Sequence, residues 1–143
     1  MPYYAMNKFD HFYMHIAQSA AELSYAKRLK VGAVAVRHTS ILDFGYNGTL
    51  PGLDNRCEIE IDGSMVTHDG VIHAEENLII KMARSAVSSV GATIYITHQP
   101  CVKCSRMIAA AGFTRLVYNE LYRDQSGIEL LKNYGIIVEN IND

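Results

Sequence analysis

Two short runs in this sequence have the residue types and spacing of a metal centre: His73-Ala74-Glu75 and Pro100-Cys101-Val102-Lys103-Cys104. Cys101 and Cys104 are three residues apart, which on a helix puts both sulfurs on one face of the first turn. There the macrodipole favours the thiolate that a soft metal requires. Pro100 is at home in that turn, which needs no N–H from it. Two thiolates and the His73 imidazole make a Cys₂His set, the open arrangement of catalytic zinc, with water in the fourth tetrahedral position. A structural zinc calls for a fourth protein ligand. Glu75, two residues beyond His73, can reach such a water without becoming a ligand, take up its proton and pass it on.

Each of these residues also has a plainer reading. Cys-x-x-Cys opening a helix after a strand is the thioredoxin-like redox motif as well. That reading leaves His73 and Glu75 unexplained and lacks a neighbouring Trp, so zinc ranks above it. His73 alone reads as an ordinary buried histidine, and Glu75 alone as a first-turn acid favoured by the helix dipole. Their co-occurrence with the cysteines is what points to a site. His11 and His15 are four apart, but no carboxylate or thiol completes a metal set, and a solvated helix face is expected. Cys57 stands alone as a small buried hydrophobe, and three cysteines exclude a complete disulfide framework. Asn47 beside Gly48 reads locally as a turn. For a phosphate, Arg56, Lys103, Arg106 and Arg123 are equal candidates, since long basic side chains are mostly surface.

The scaffold that must position these runs reads as α/β. Residues 5–29 place Phe9, Phe12, Ile16, Ala20 and Leu23 at three- and four-residue steps, which predicts a long helix buried on that face. Residues 31–36 and 41–46 are β-rich and predict an antiparallel hairpin. Residues 47–71 carry five of the glycines and prolines with little periodicity, a long connection with at most short local structure. A helix over 73–87, a strand over 93–97 and a helix over 101–111 closed by Gly112 follow. The end repeats the alternation: a strand over 115–118, a helix over 128–134 stopped by Gly135, and a strand over 136–139. Such alternation implies parallel pairing through crossovers. The expected fold is a three-layer α/β/α sandwich with a mixed five-stranded sheet and helices on both faces, forming a single domain over residues 1–143.

With 143 residues, 49% hydrophobic and 20% charged, and a mean hydropathy of +0.01, the chain has a soluble globular balance that excludes a disordered tail or a coiled coil. Its 13 basic side chains against 15 acidic offer no excess for the phosphates of a nucleic acid polymer, and none is expected as partner. A single small anion is compatible with that balance. No apolar run approaches the roughly 20 residues of a membrane span. The start, MPYYAMNKFD, lacks a basic segment followed by an apolar one, so the expected compartment is the cytoplasm, where thiols stay reduced.

Taken in order, VGAVAV, Gly45-Tyr46-Asn47-Gly48-Thr49, His73-Ala74-Glu75, GATIYIT and PCVKC resemble the zinc-dependent cytidine and deoxycytidylate deaminase superfamily, from the first helix to about Val138. The H-x-E and P-C-x-x-C pair carries the superfamily, and the GYNG run points to its deoxycytidylate branch. The resemblance implies a cytidine-deaminase-like fold, one zinc per chain on His73, Cys101 and Cys104, and Glu75 as proton shuttle. It implies that Asn47 hydrogen-bonds the bound nucleotide, and His98, just before Pro100, is placed to line the pocket. The implied reaction is attack of zinc-activated water on C4 of cytosine, with Glu75 protonating N3 and then the departing ammonia, turning dCMP into dUMP for dTTP synthesis. Members are often homohexamers activated by dCTP and inhibited by dTTP, triphosphates that carry Mg²⁺, with Gly45, Tyr46, Asn47 and Gly48 in the allosteric segment. Here the run reads GYNGTLPG, with Leu50 as an extra residue before Pro51. Some relatives hold a second, structural zinc; only Cys57 and His68 correspond, and two ligands do not make a site. The shared metal chemistry leaves two further readings open. One is a deaminase of another cytosine or adenine nucleoside or of tRNA adenosine, against which the acidic balance stands. The other is a non-catalytic, zinc-stabilised nucleotide sensor, which has no need of Glu75.

Overall fold

Asn7 starts the first helix. Its side-chain oxygen accepts from the N–H groups of Phe9 and Asp10 at 2.9 and 3.1 Å, and Asp10 returns a bond to the Asn7 N–H. The structure, a computed structural model, describes residues 6–143, so residue 5, the expected helix start, lies outside the described residues. Helix α1 runs Lys8–Ala21 and stops eight residues short of the expected end. Past it, backbone donors turn from the helix to side chains, one local and one distant: Ser24 Oγ accepts from the Ala26 N–H at 3.1 Å, and the Glu58 carboxylate accepts from those of Lys27 and Arg28.

The buried face of α1 also differs from the expected one. Asp10, Tyr13, Met14, Ala17, Ala20 and Ala21 face inward, while Phe9, Phe12 and Leu23 are each about half exposed. Close approach decides this. A Cβ on Gly32 of the neighbouring strand would lie 2.0 Å from the Ala17 carbonyl oxygen, so only the small-residue face of α1 can seat there. At the other end of α1 the buried Asp10 accepts from Tyr95 Oη at 2.6 Å and pairs with Arg115 at 3.0 Å; Arg115 also pairs with Glu139 at 2.6 Å. Burial pushes the Asp10 carboxyl up, but the bonds from Tyr95, Arg115 and the Asn7 N–H, with the Arg115 charge, outweigh it and hold the group below its ordinary 3.8. A depressed native pKa stabilises the fold above the unfolded value and loses that contribution as pH falls through the native one. Asp10→Asn is therefore expected to flatten the acid arm of a Tm-against-pH curve below about pH 4. An arm as steep as that of the wild type would contradict this.

The strands are β1 (Gly32–Arg37), β2 (Ser40–Tyr46), β3 (Glu58–Ile61), β4 (Ser64–Thr67), β5 (Thr93–His98), β6 (Arg115–Glu120) and β7 (Ile137–Asn140). The remaining helices are α2 (Ala74–Ala83), α3 (Val102–Ala110) and α4 (Ser126–Tyr134). Five strands form one sheet in the order β2-β1-β5-β6-β7; β1 is antiparallel to β2 and β5, and β5, β6 and β7 are mutually parallel. Helix α1 covers one face over Val34, Val36, Tyr95 and Val117. Helices α2, α3 and α4 cover the other, packing Leu78, Met82, Ile108, Ile128 and Leu131 on Ala33, Ala35, Ile94, Ile96 and Leu116. The mixed sheet, the layers and the crossovers match the expectation. Several boundaries move: α4 begins two residues early and β6 ends two residues late, α2 ends four residues early at the Arg84 cap, with Ser85 Oγ folding back onto the Met82 carbonyl, and Pro100 precedes the cap of α3 instead of entering its first turn. The long connection carries short local structure, as expected. Its β3–β4 hairpin turns at Asp62-Gly63, both at positive φ. Among the described residues no helix is long and apolar enough to cross a membrane.

Candidate active site

The carboxyl end of β5 and the paired ends of β1 and β2 meet at one edge of the sheet, where open α/β sheets place their ligands. Chain continuity brings the ligating side chains there. From β5 the chain passes through Gln99 and Pro100 to Cys101, the N-cap of α3, whose Sγ accepts from the Cys104 N–H at 3.5 Å. His73 is the N-cap of α2. Glu76, one turn into α2, accepts from the His73 N–H at 3.0 Å and from Lys103 Nζ at 3.4 Å, so one carboxylate ties the start of α2 to α3.

The GYNG segment buttresses the same place. The Tyr46 carbonyl accepts from Asn77 Nδ2 at 2.6 Å, and Gly48 and Ile72 exchange both backbone bonds immediately before His73. A Cβ on Gly45 would lie 2.6 Å from the Ala74 oxygen and from the Leu78 nitrogen, so α2 rests directly on the β2 backbone.

His73 Nδ1 lies 3.2 Å from Cys104 Sγ and 3.8 Å from Cys101 Sγ, and all three donor atoms fall within 4.8 Å of one another. Zinc bonds of roughly 2.0–2.3 Å place tetrahedral ligand atoms roughly 3.3–3.8 Å apart, so the donors fit the ion in both type and spacing. The Cys104 thiol is pushed far up, first by burial and then by the negative charge of Glu75 and Cys101, which is the electrostatic setting a divalent cation relieves. The imidazole between the two sulfurs favours the metal reading over the redox one. Among the described residues this is the one His/Cys/carboxylate cluster with metal-binding spacing; His11, His15 and His68 are exposed and Cys57 is buried apart from it.

Glu75 is 4% exposed, and burial, reinforced by the Glu76 charge and opposed by a backbone hydrogen bond, pushes its carboxyl up to about 7. A carboxyl that gains and loses a proton near neutrality suits a shuttle. It lines a cavity of about 470 Å³ together with His73, Cys101, Asn47, His98 and Tyr122. A site that can hold zinc, a buried carboxyl of tuned basicity and room for a nucleotide-sized ligand thus share one cleft.

Residues 7–120 match the family model described as the cytidine and deoxycytidylate deaminase zinc-binding region, a span that contains both ligand runs. The chain belongs to this deaminase family. Deoxycytidylate deaminase of Saccharomyces cerevisiae is 36% identical over 93% of this chain, which spans 45% of the yeast protein's length. Deoxycytidylate deaminase of Mycobacterium phage D29 is 35% identical, over 76% of this chain and 92% of its own. The crystal structure of dCMP deaminase from cyanophage S-TIM5 in complex with dCMP and dUMP superposes with a TM-score of 0.89 at 42% identity, over 96% of this chain and 99% of that one. The sandwich described above is the cytidine-deaminase-like fold of this deaminase family.

Within the family's frame, Asn47 lines the cleft, but its side chain is already engaged. Its Oδ1 accepts from the Val31 N–H at 2.8 Å and its Nδ2 donates to the Leu29 carbonyl at 2.8 Å, leaving one Nδ2 hydrogen. His98 is half-buried on the wall, with Nδ1 2.8 Å from Thr97 Oγ1 and its pKa lowered by burial. Tyr122 is brought to the cleft by Gln99, whose side-chain oxygen accepts from the Tyr122 N–H at 2.8 Å and from Gln125 at 2.6 Å. Of the basic residues named as phosphate candidates, none lines the cleft; Arg28, which no local pattern singles out, does. The sequence reading also missed Glu58 and Glu76. Glu76 had a readable signal, an acid three residues after an N-cap, whereas Glu58 is recognised by nothing local.

Proposed function

We propose that this chain catalyses the zinc-dependent hydrolysis of dCMP to dUMP and ammonia. The observation that carries the reading is the open His73, Cys101, Cys104 donor set in one cleft with the buried Glu75; the deoxycytidylate deaminases among its relatives support the choice of substrate. Held by the three donors, zinc supplies Lewis acidity that makes water a nucleophile at neutral pH. Glu75 would take a proton from the attacking water as its oxygen adds to C4, deliver it to N3, and then carry the second proton to the departing amine, so that water is consumed and ammonia leaves with no redox change. His98, Tyr122 and the remaining Nδ2 hydrogen of Asn47 form the wall against which the base and sugar are oriented. The site sits within a single deaminase domain over residues 1–143, a reading supported by the family match across most of it. By the same resemblance the enzyme is a homohexamer, with dCTP bound with Mg²⁺ as activator and dTTP as inhibitor through Gly45, Tyr46, Asn47 and Gly48; it works in the cytoplasm, where thiols stay reduced. The test is a substrate panel for zinc-loaded protein: dCMP, CMP, deoxycytidine, dCTP and a tRNA. Preferential turnover of dCMP is expected. Turnover of a free nucleoside or of tRNA adenosine alone would replace this reading.

A further inference from the structure

Resting on the metal centre in the reading above, we infer that Glu76 and Lys103 form a strap across that centre, which holds its two ligand-bearing helix starts together and so retains the zinc. The donors come from two separate runs, His73 at the start of α2 and Cys101 with Cys104 at the start of α3. Glu76 divides its carboxylate between them. One oxygen, Oε1, accepts from the His73 N–H at 3.0 Å. The other, Oε2, lies 3.4 Å from Nζ of Lys103, which stands between the two cysteines in the sequence. Oε1 also lies 4.0 Å from His73 Nδ1, the nitrogen nearest both sulfurs.

Apart from the donors themselves, this is the one side-chain hydrogen bond or ion pair between α2 and α3 among the described residues. The other polar ties of α2, from Asn77 and Lys81, run to β2. Glu76 stands at the third position of α2 and closes a capping box, so the backbone that carries the His73 ring is fixed by the same group that reaches α3. Its side chain is 15% exposed against 64% for Lys103, so the pair is shielded from water at its acidic end alone. Holding two ligand runs in place before the ion arrives lowers the ordering cost of binding it, and groups that orient ligands in this way set metal affinity as the ligands do. The charge also calls for a partner. Glu76 pushes the Cys104 thiol and the Glu75 carboxyl up, and Lys103 is the one lysine or arginine paired with it among the described residues.

The test is zinc retention by the full chain, with the metal counted per chain beforehand and its release followed as a colorimetric chelator takes it up. Glu76→Ala, which loses both attachments, is expected to release zinc about 10- to 100-fold faster than wild type. Glutamine keeps the capping bond and loses the charge. Glu76→Gln and Lys103→Ala should therefore each speed release by only about 2- to 5-fold, and the double variant should be no faster than either, since both remove the same ion pair. Added salt should move wild type toward the Lys103→Ala rate and leave that variant unchanged. Melting of the chelated proteins is the second readout. A Glu76→Ala protein that melts lower without zinc yet releases it at the wild-type rate would make Glu76 a helix cap alone and overturn the inference. Release from Lys103→Ala at the wild-type rate would overturn it too, as would a double variant whose effect is the product of the two single ones. Wild type that takes up no zinc would overturn the centre and the strap with it. Wild type that holds one zinc through the strap yet deaminates no cytosine nucleotide would uphold the inference and refute the proposed reaction instead.

Discussion

Replacing Glu75 by alanine is expected to lower kcat for dCMP by roughly 10³-fold or more while the protein keeps one zinc per chain. The two halves of that expectation come from different features. Glu75 is not among the three clustered donors, so its removal leaves His73, Cys101 and Cys104 at the spacing that fits the ion. The proton path, however, has no substitute. The nearby Glu76 is committed to the His73 N–H and to Lys103, and His98 is a neutral wall residue whose pKa is lowered by burial. Glutamine at position 75 preserves the shape and hydrogen-bonding capacity but cannot carry a proton, and it should be nearly as inactive as alanine. Metal analysis beside steady-state rates decides the matter. Substantial turnover by either variant would show that another group moves the proton.

The second large effect is expected from Cys104→Ser. Cys104 is fully buried at the end of the first turn of α3, and its sulfur is the donor nearest His73, at 3.2 Å. A hydroxyl is a poor zinc ligand beside thiolate, so the bound metal should fall from one per chain to a small fraction and turnover should fall to the background rate. Ligand binding to the native state alone raises its stability. A chelator should therefore lower the Tm of the wild type and leave that of Cys104→Ser unchanged. Cys57→Ser is the control; it alters a buried thiol 3.5 Å from the Asn55 carbonyl and outside the cluster, and it should keep both zinc and activity. Full zinc in the Cys104 variant would remove Cys104 from the centre.

What the sequence disclosed and what it hid follow from the range of the forces involved. The ligand runs were legible because a metal demands particular residue types at helix starts, and those demands are local. The alternation of β5, α3, β6, α4 and β7 was legible because β5 and the first half of β6 are apolar and buried, and each helix between the strands buries one face. The face of α1 was not. Its aromatic residues outweigh its alanines in any hydrophobic count, but Gly32 brings β1 so close that only alanine fits, and a buried Asp10 is stabilised by Tyr95 and Arg115 from far along the chain. The β3–β4 hairpin carried a readable Asp62-Gly63 turn and an alternating Glu58-Ile59-Glu60-Ile61 run, yet Glu58 is its one buried residue and most of the others are exposed, so the alternation marks no core face. Arg28 was hidden for the same kind of reason. Its place in the cleft is set by Glu58 and Thr67, thirty and thirty-nine residues away. Asn47 shows the converse case, a residue singled out for ligand contact whose amide also braces the Leu29 to Val31 backbone.

In the proposed function, the three-donor centre and Glu75 together deaminate a cytosine nucleotide. Its most direct test follows the ultraviolet absorbance of dCMP mixed with zinc-loaded protein, with the product identified by mass. Rapid conversion to dUMP is expected, with one ammonia released per molecule, abolished by chelation and restored by added zinc. Protein carrying one zinc per chain that leaves dCMP unchanged would contradict it.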